Sequence, residues 1–290
     1  MITTKLTGGL GNQMFQYAFG RSLALRKNTV LQLDTTPLER GEGTAPRTYA
    51  LDAFQVDAPR VAYPVKQRSV IGKISHRLEK QFVPYYRRKT VVQQGHRYDP
   101  RLLACRPDAT LEGYWQSEKY FADHTSEIRR DFTFKDAPVG KNQEYAALIQ
   151  RALSVSIHVR RGDYVSHPLA SAVYVALDAD YYHRAVAQLA TPNNQTFAYF
   201  VFSDDPAWVA QNLSLPTPCH WINHNGPDQA AEDLRLMSLC QHHIIANSSF
   251  SWWGAWLNAR SDKTVIAPRQ WFKSELRNSE DLVPESWILI

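Results

Sequence analysis

Apolar positions along the chain change their spacing in a repeating order: a short run, a break of small residues, a helical stripe, then another run. Ile2 to Leu6 opens as a strand. Gly8-Gly9-Leu10-Gly11 breaks it, and Asn12 stands where it would cap the helix marked by Phe15, Phe19 and Leu23 at i, i+4, i+8. Val30 to Leu33 resumes a strand, so the opening reads as the first half of a doubly wound α/β unit.

From about 34 to 145 the pattern weakens among prolines and basic residues. Leu111 to Trp115 reads as a strand entering a loop, Ser117 to Arg130 as helical, and Asp136 to Gly140 as a linker. Two domains are therefore expected, residues 1–148 and 149–290. After 150 the alternation is regular. Strands are expected at Ser154–Val159, Thr196–Phe202, Cys219–Ile222, His243–Ala246 and Thr264–Ala267. Helices are expected at Asp180–Leu189, Pro206–Asn212, Asp228–Cys240 with Asp228 as cap, and Phe250–Leu257. Such alternation argues for a parallel sheet covered on both faces, with ligands beyond the carboxyl ends of its strands. No internal repeat or low-complexity tract interrupts it.

Composition narrows the class. The 290 residues are 44% hydrophobic and 21% charged, enough for a sizeable core. The eight Trp suit such a core as well as a sugar-binding face. No run approaches the apolar length of a membrane span, the first residues do not form a signal peptide, and three scattered cysteines form neither a disulfide framework nor a zinc site. A cytoplasmic setting is expected. The net charge of +5 is uneven, because residues 60–101 hold eleven Lys/Arg against Glu79 and Asp99. That segment reads either as a solvated basic surface or as peripheral contact with anionic membrane or a lipid-linked acceptor at the inner membrane. Nucleic acid is not expected, since no recognised binding motif accompanies the charge.

Four segments carry chemistry. In Ser156-Ile157-His158-Val159-Arg160-Arg161-Gly162-Asp163-Tyr164 a strand ends on a His, two Arg, a Gly and an Asp. An arginine there suits a diphosphate, and the glycine lets the backbone turn closely around it. Phe202-Ser203-Asp204-Asp205-Pro206 offers a carboxylate to the N–H donors of guanine, or a helix cap through Ser203 or Asp204. Asn247-Ser248-Ser249-Phe250 begins a helix just after a strand, a phosphate-binding position or an ordinary cap. Gly8 to Gln16 starts like a dinucleotide fingerprint, with Asp34 ending the next strand. Met14 occupies its third glycine position, so Asn12 and Gln13 facing a sugar is the better reading.

Together these segments resemble the bacterial α-1,2-fucosyltransferases of glycosyltransferase family 11, in order and across nearly the whole chain. The resemblance implies a GT-B-like α/β fold of two Rossmann-like lobes facing across a cleft, with GDP-β-L-fucose as donor and a galactose-terminated glycan as acceptor. It implies neither metal nor cofactor. Carried over, Arg160 holds the β-phosphate, and His158 and Asp205 read guanine. Ser248 and Ser249 lie near the phosphates, with Arg161, Asp204, Asn247 and Phe250 around the donor. A β-linked donor and an α-linked product imply one in-line displacement with inversion. Asp163 is the first choice of base, with shaping of the arginine loop as its alternative; His167 and a residue of the first lobe stay open.

Overall fold

The computed structural model describes residues 1–41, 47–63, 79–189, 196–274 and 279–290. The chain forms two compact units, Met1–Thr133 with Glu280–Leu282, and Phe134–Ser279 with Val283–Ile290.

The first unit holds a five-stranded parallel sheet in the order β3-β2-β1-β5-β4. Its strands are β1 (Ile2–Lys5), β2 (Leu31–Asp34), β3 (Arg60–Val61), β4 (Thr90–Val92) and β5 (Thr110–Glu112). Helix α1 (Leu10–Arg26) follows β1 and is buried on almost every side. Gly20 makes that packing close, because a Cβ there would collide with the Thr4 hydroxyl on β1. Aromatic contacts cover the far side, with the Phe19 ring 4.9 Å from Trp115 and 4.7 Å from Tyr120. The N-cap of α1 is Gly9, and Asn12 lies inside the helix rather than capping it. Asp34 accepts from Thr36 N at 3.0 Å and from the Thr36 hydroxyl, so its carboxylate is engaged at the start of the short helix α2 (Thr36–Glu39). The segment expected as helical from Ser117 to Arg130 is two 3-10 turns and then α3 (Thr125–Asp131). Its aromatic residues are held by packing against α1, which overrides helical periodicity.

The second unit begins at Phe134 and holds all of α4 (Gly140–Arg151), whereas the expected boundary at 148/149 cuts that helix. Ala146 and Ile149 of α4 pack into the second unit's own core, which explains the earlier division. The strands are β6 (Ser154–Val159), β7 (Ala198–Ser203), β8 (Cys219–Ile222), β9 (His242–Ile244), β10 (Val265–Ala267) and β11 (Ile288–Leu289). All pair in parallel in the order β11-β10-β9-β6-β7-β8. The order reverses direction between β6 and β9, which is where a doubly wound sheet opens a crevice.

Alternate residues of β7 feed opposite cores, Tyr199 and Val201 on one face, Phe200 and Phe202 on the other. Two short helices, α5 (Gly162–Ser166) and α6 (Pro168–Ser171), follow β6. Then come α7 (Ala179–Gln188), α8 (Pro206–Asn212), α9 (Ala230–Leu239) and α10 (Ser249–Leu257). Asp228 does not cap α9, because it sits within a 3-10 turn, Pro227–Gln229, that leads into the helix. Ser156 and His243 are neighbours across β6 and β9, buried, with Ser156 Oγ 2.8 Å from His243 Nδ1. Asn258 Nδ2 meets the other ring nitrogen at 2.9 Å. An amide nitrogen only donates, so Nε2 accepts and the proton sits on Nδ1: His243 is neutral.

Candidate functional site

Beyond the carboxyl end of β6 the chain turns into α5, and this turn carries most of the charge. Arg160 Nη2 lies 2.6 Å from Asp163 Oδ1, and Nη1 lies 2.7 Å from Asp204 Oδ2 at the end of β7. The guanidinium therefore spans two strand ends. Its face lies 5.4 Å from the Tyr164 ring. Arg161 points elsewhere, stacked 4.1 Å over Trp208, with Nε 3.3 Å from Asp205 Oδ2. Its backbone N–H donates to Asp204 Oδ1 at 2.8 Å.

Asp204 thus fixes both the backbone and the side chain of the turn. Gly162 makes this possible, since a Cβ at that position would strike the Asp204 carboxylate. Asp205, assigned to guanine from the sequence, caps α8 through Oδ1, which accepts from Trp208 N at 3.1 Å. Ser203 in turn accepts from Asp205 N at 2.9 Å, so the cap belongs to Asp205 rather than to Ser203 or Asp204.

His158 is the penultimate residue of β6 and is buried, its ring 5.6 Å from that of Phe250. Burial, reinforced by the nearby Arg160 charge, pushes its pKa down to about 3, so the imidazole is neutral. Its Nδ1 has no hydrogen-bond partner among the described residues.

Across the reversal of strand order, the segment after β9 supplies the second wall. Ser248 is the N-cap of α10, its hydroxyl accepting from Phe250 N at 3.3 Å, and Ser249 is the first helical residue. Asn247 carries a structural task. Its Nδ2 donates to Val175 O at 2.8 Å and Trp271 O at 2.9 Å, tying three loops together inside the protein. Its Oδ1 is buried and has no partner among the described residues. Tyr164 donates to Asn247 O at 3.0 Å and stacks on Tyr174 at 4.3 Å, so the walls after β6 and β9 are joined.

In the first unit, Gln13 is fully buried. Its Nε2 donates to Gly8 O at 2.9 Å and Thr48 O at 2.8 Å, while Oε1 accepts from Ala50 N at 2.9 Å. Backbone groups occupy it completely, so it is an internal brace and not a sugar contact. Asn12 accepts from Gln116 Nε2 at 2.8 Å.

Residues 1–290 match the family described as glycosyl transferase family 11. The chain belongs to that family. It is 33% identical to an alpha-1,2-colitosyltransferase of Escherichia coli, over 100% of this chain and 99% of that protein. It is 30% identical to the O-antigen biosynthesis glycosyltransferase WbnK of Escherichia coli, over 98% of both. A galactoside alpha-(1,2)-fucosyltransferase 2 of Oryctolagus cuniculus is 26% identical over 89% of this chain and 67% of its own length. Among solved structures, fucosyltransferase NodZ from Bradyrhizobium superposes with a TM-score of 0.49 at 15% identity, covering 88% of this chain and 92% of that one.

For this member of family 11, the expectation of an α/β protein with two parallel sheets holds. The Arg160 loop and the Ser248 cap meet where the second sheet reverses its strand order, while the aromatic supports Tyr174 and Trp208 escaped sequence reading. Their signal was faint, because an isolated aromatic after a motif looks like any core residue. Among the described residues no helix is long and apolar enough to cross a membrane. Of the basic segment 60–101, residues 64–78 lie outside the described residues.

Proposed function

We propose that this transferase moves L-fucose from GDP-β-L-fucose to the 2-hydroxyl of a terminal β-galactoside, inverting the anomeric centre. The observation that carries the reading is Arg160, held at the carboxyl end of β6 between Asp163 and Asp204. The linkage is supported by the α-1,2 specificity in the names of the colitosyltransferase and the rabbit fucosyltransferase.

In this reading the acceptor hydroxyl oxygen attacks C1 as the bond from C1 to the diphosphate oxygen breaks; the bonding pair leaves with GDP, and the hydroxyl proton passes to His167 or to water. Arg160 meets the growing negative charge on the leaving oxygen, and the positive end of α10 at Ser249 adds to it. No divalent ion is assigned to this step. His158, neutral and with an unsatisfied Nδ1, is suited to hydrogen-bond the purine. Asp163 is better suited to holding Arg160 than to acting as base, because its carboxylate is already bound to the guanidinium. Contact with a membrane-borne acceptor belongs to the same reading, through the basic segment 60–101.

The test is transfer from GDP-fucose to a β-galactoside in EDTA, with the linkage read by NMR. An α-1,2 product supports the reading; a strict need for Mg²⁺ or Mn²⁺, or another linkage, contradicts it. The colitosyltransferase relative favours a second reading, in which the donor carries colitose, fucose without its 3-hydroxyl. The ratio of kcat/KM for GDP-fucose and GDP-colitose decides between the two.

A further inference from the structure

We propose that a hollow at the carboxyl ends of β2 and β3 is a carbohydrate subsite holding a hexose of the acceptor glycan. The substrate named here rests on the fucosyl-transfer reading above. The hollow has a volume of about 360 Å³, and its walls include Glu39, Arg47, Thr48, Tyr49 and Arg60. Ligand sites of small molecules begin at about this size. It belongs to the first unit, whereas Arg160 and its partners belong to the second.

The lining has the chemistry of sugar recognition. A hexose presents adjacent hydroxyls that donate and accept, so it is matched by a bidentate carboxylate beside bidentate guanidinium groups. A phosphate would call for the cations without the carboxylate. Glu39 is oriented by Thr35, whose hydroxyl donates to Oε1 at 2.9 Å. Arg60 is fixed 4.5 Å over the Tyr49 ring and 3.2 Å from Asp52 Oδ2. Arg47 forms no ion pair among the described residues and has its whole donor fork free.

The wall is also braced from behind. Gln13 grips Thr48 O and Ala50 N on either side of Tyr49, so the segment is held as a strand partner would hold it. That gives the buried glutamine of the glycine-rich motif a purpose: it keeps the hollow in shape before any ligand arrives.

The experiment uses the full chain and two exposed lining residues, as Arg47→Ala and Glu39→Gln, with unchanged melting temperature as the folding control. Two quantities are measured: binding of a β-galactosyl disaccharide by titration calorimetry with and without GDP, and the separate KM values for acceptor and GDP-fucose. Each variant is expected to weaken disaccharide binding and raise acceptor KM about tenfold, the loss of one charge-assisted contact, with GDP affinity unchanged. Unaltered disaccharide binding in both variants overturns the proposal, as does a parallel loss of GDP affinity. If the wild type binds the disaccharide but transfers no fucose, weaker binding by the variants still upholds the subsite while the fucosyl reading fails.

Discussion

Arg160 is held by two carboxylates, and the way they divide the work sets what substitution does at each position. Asp163→Asn keeps an oxygen facing the guanidinium but removes basicity. Loss of less than tenfold in kcat is expected, whereas loss of a true general base costs on the order of 10²–10⁴. Steady-state kinetics with an unshifted pH profile confirm the holding role; the larger loss restores Asp163 as base. Gly162→Ala drives a methyl group into the Asp204 carboxylate, which holds both Arg160 and the Arg161 N–H. KM for GDP-fucose should rise while the melting temperature barely moves, because the turn lies outside both cores. Gln13→Ala leaves Ala50 N and the Thr48 and Gly8 carbonyls without their partner, and about 2–4 kcal/mol of stability should be lost in urea unfolding. The residue type alone pointed Gln13 outward, since a polar amide in a glycine-rich loop suggests a ligand. Only the position of the distant 48–50 segment turns it inward.

At the scale of elements, the second half of the chain was the more legible. β6, β8 and α8 carry the bounds expected of them, because short apolar runs alternate there with clear caps and breaks. Ser154–Val159 and Pro206–Asn212 needed nothing beyond local pattern. The Ser117–Arg130 region is helical only in its last part, because Tyr120 and Phe121 pack against α1 instead of continuing a helix. β6 and β9 also carry a titratable liability. Burial holds His158 at about 3 and His243 well below its usual value, so both are neutral when folded. The unfolded chain binds protons at these sites near pH 6.5, and the folded chain refuses them. Stability is therefore full above about pH 6.5 and falls as pH drops toward the folded values. Urea midpoints taken from pH 7.5 to 5 should decline, and His243→Gln should flatten the decline. A midpoint independent of pH over that range contradicts the neutral, buried assignment.

For the whole molecule, the second unit's parallel sheet follows from strand–helix alternation, whereas β3 and β4 of the first lie where the pattern is weak; the second sheet's order brings β6 and β9 side by side. That adjacency joins motifs far apart in sequence, the Arg160 turn and the Ser248 cap, through the Tyr164 bond to Asn247 O. The chain's pattern foretold each motif at a strand end. It did not foretell which residues serve as braces, because bracing depends on partners brought close only by folding. The most direct measurement is single-turnover fucose transfer in EDTA by the wild type and Arg160→Ala. The wild type should turn over fully, and the variant should be slower by about 10²–10³ with its melting temperature unchanged. A wild type inert until a divalent ion is added, or a variant of near-normal rate, would contradict the assignment of the leaving group's charge to Arg160.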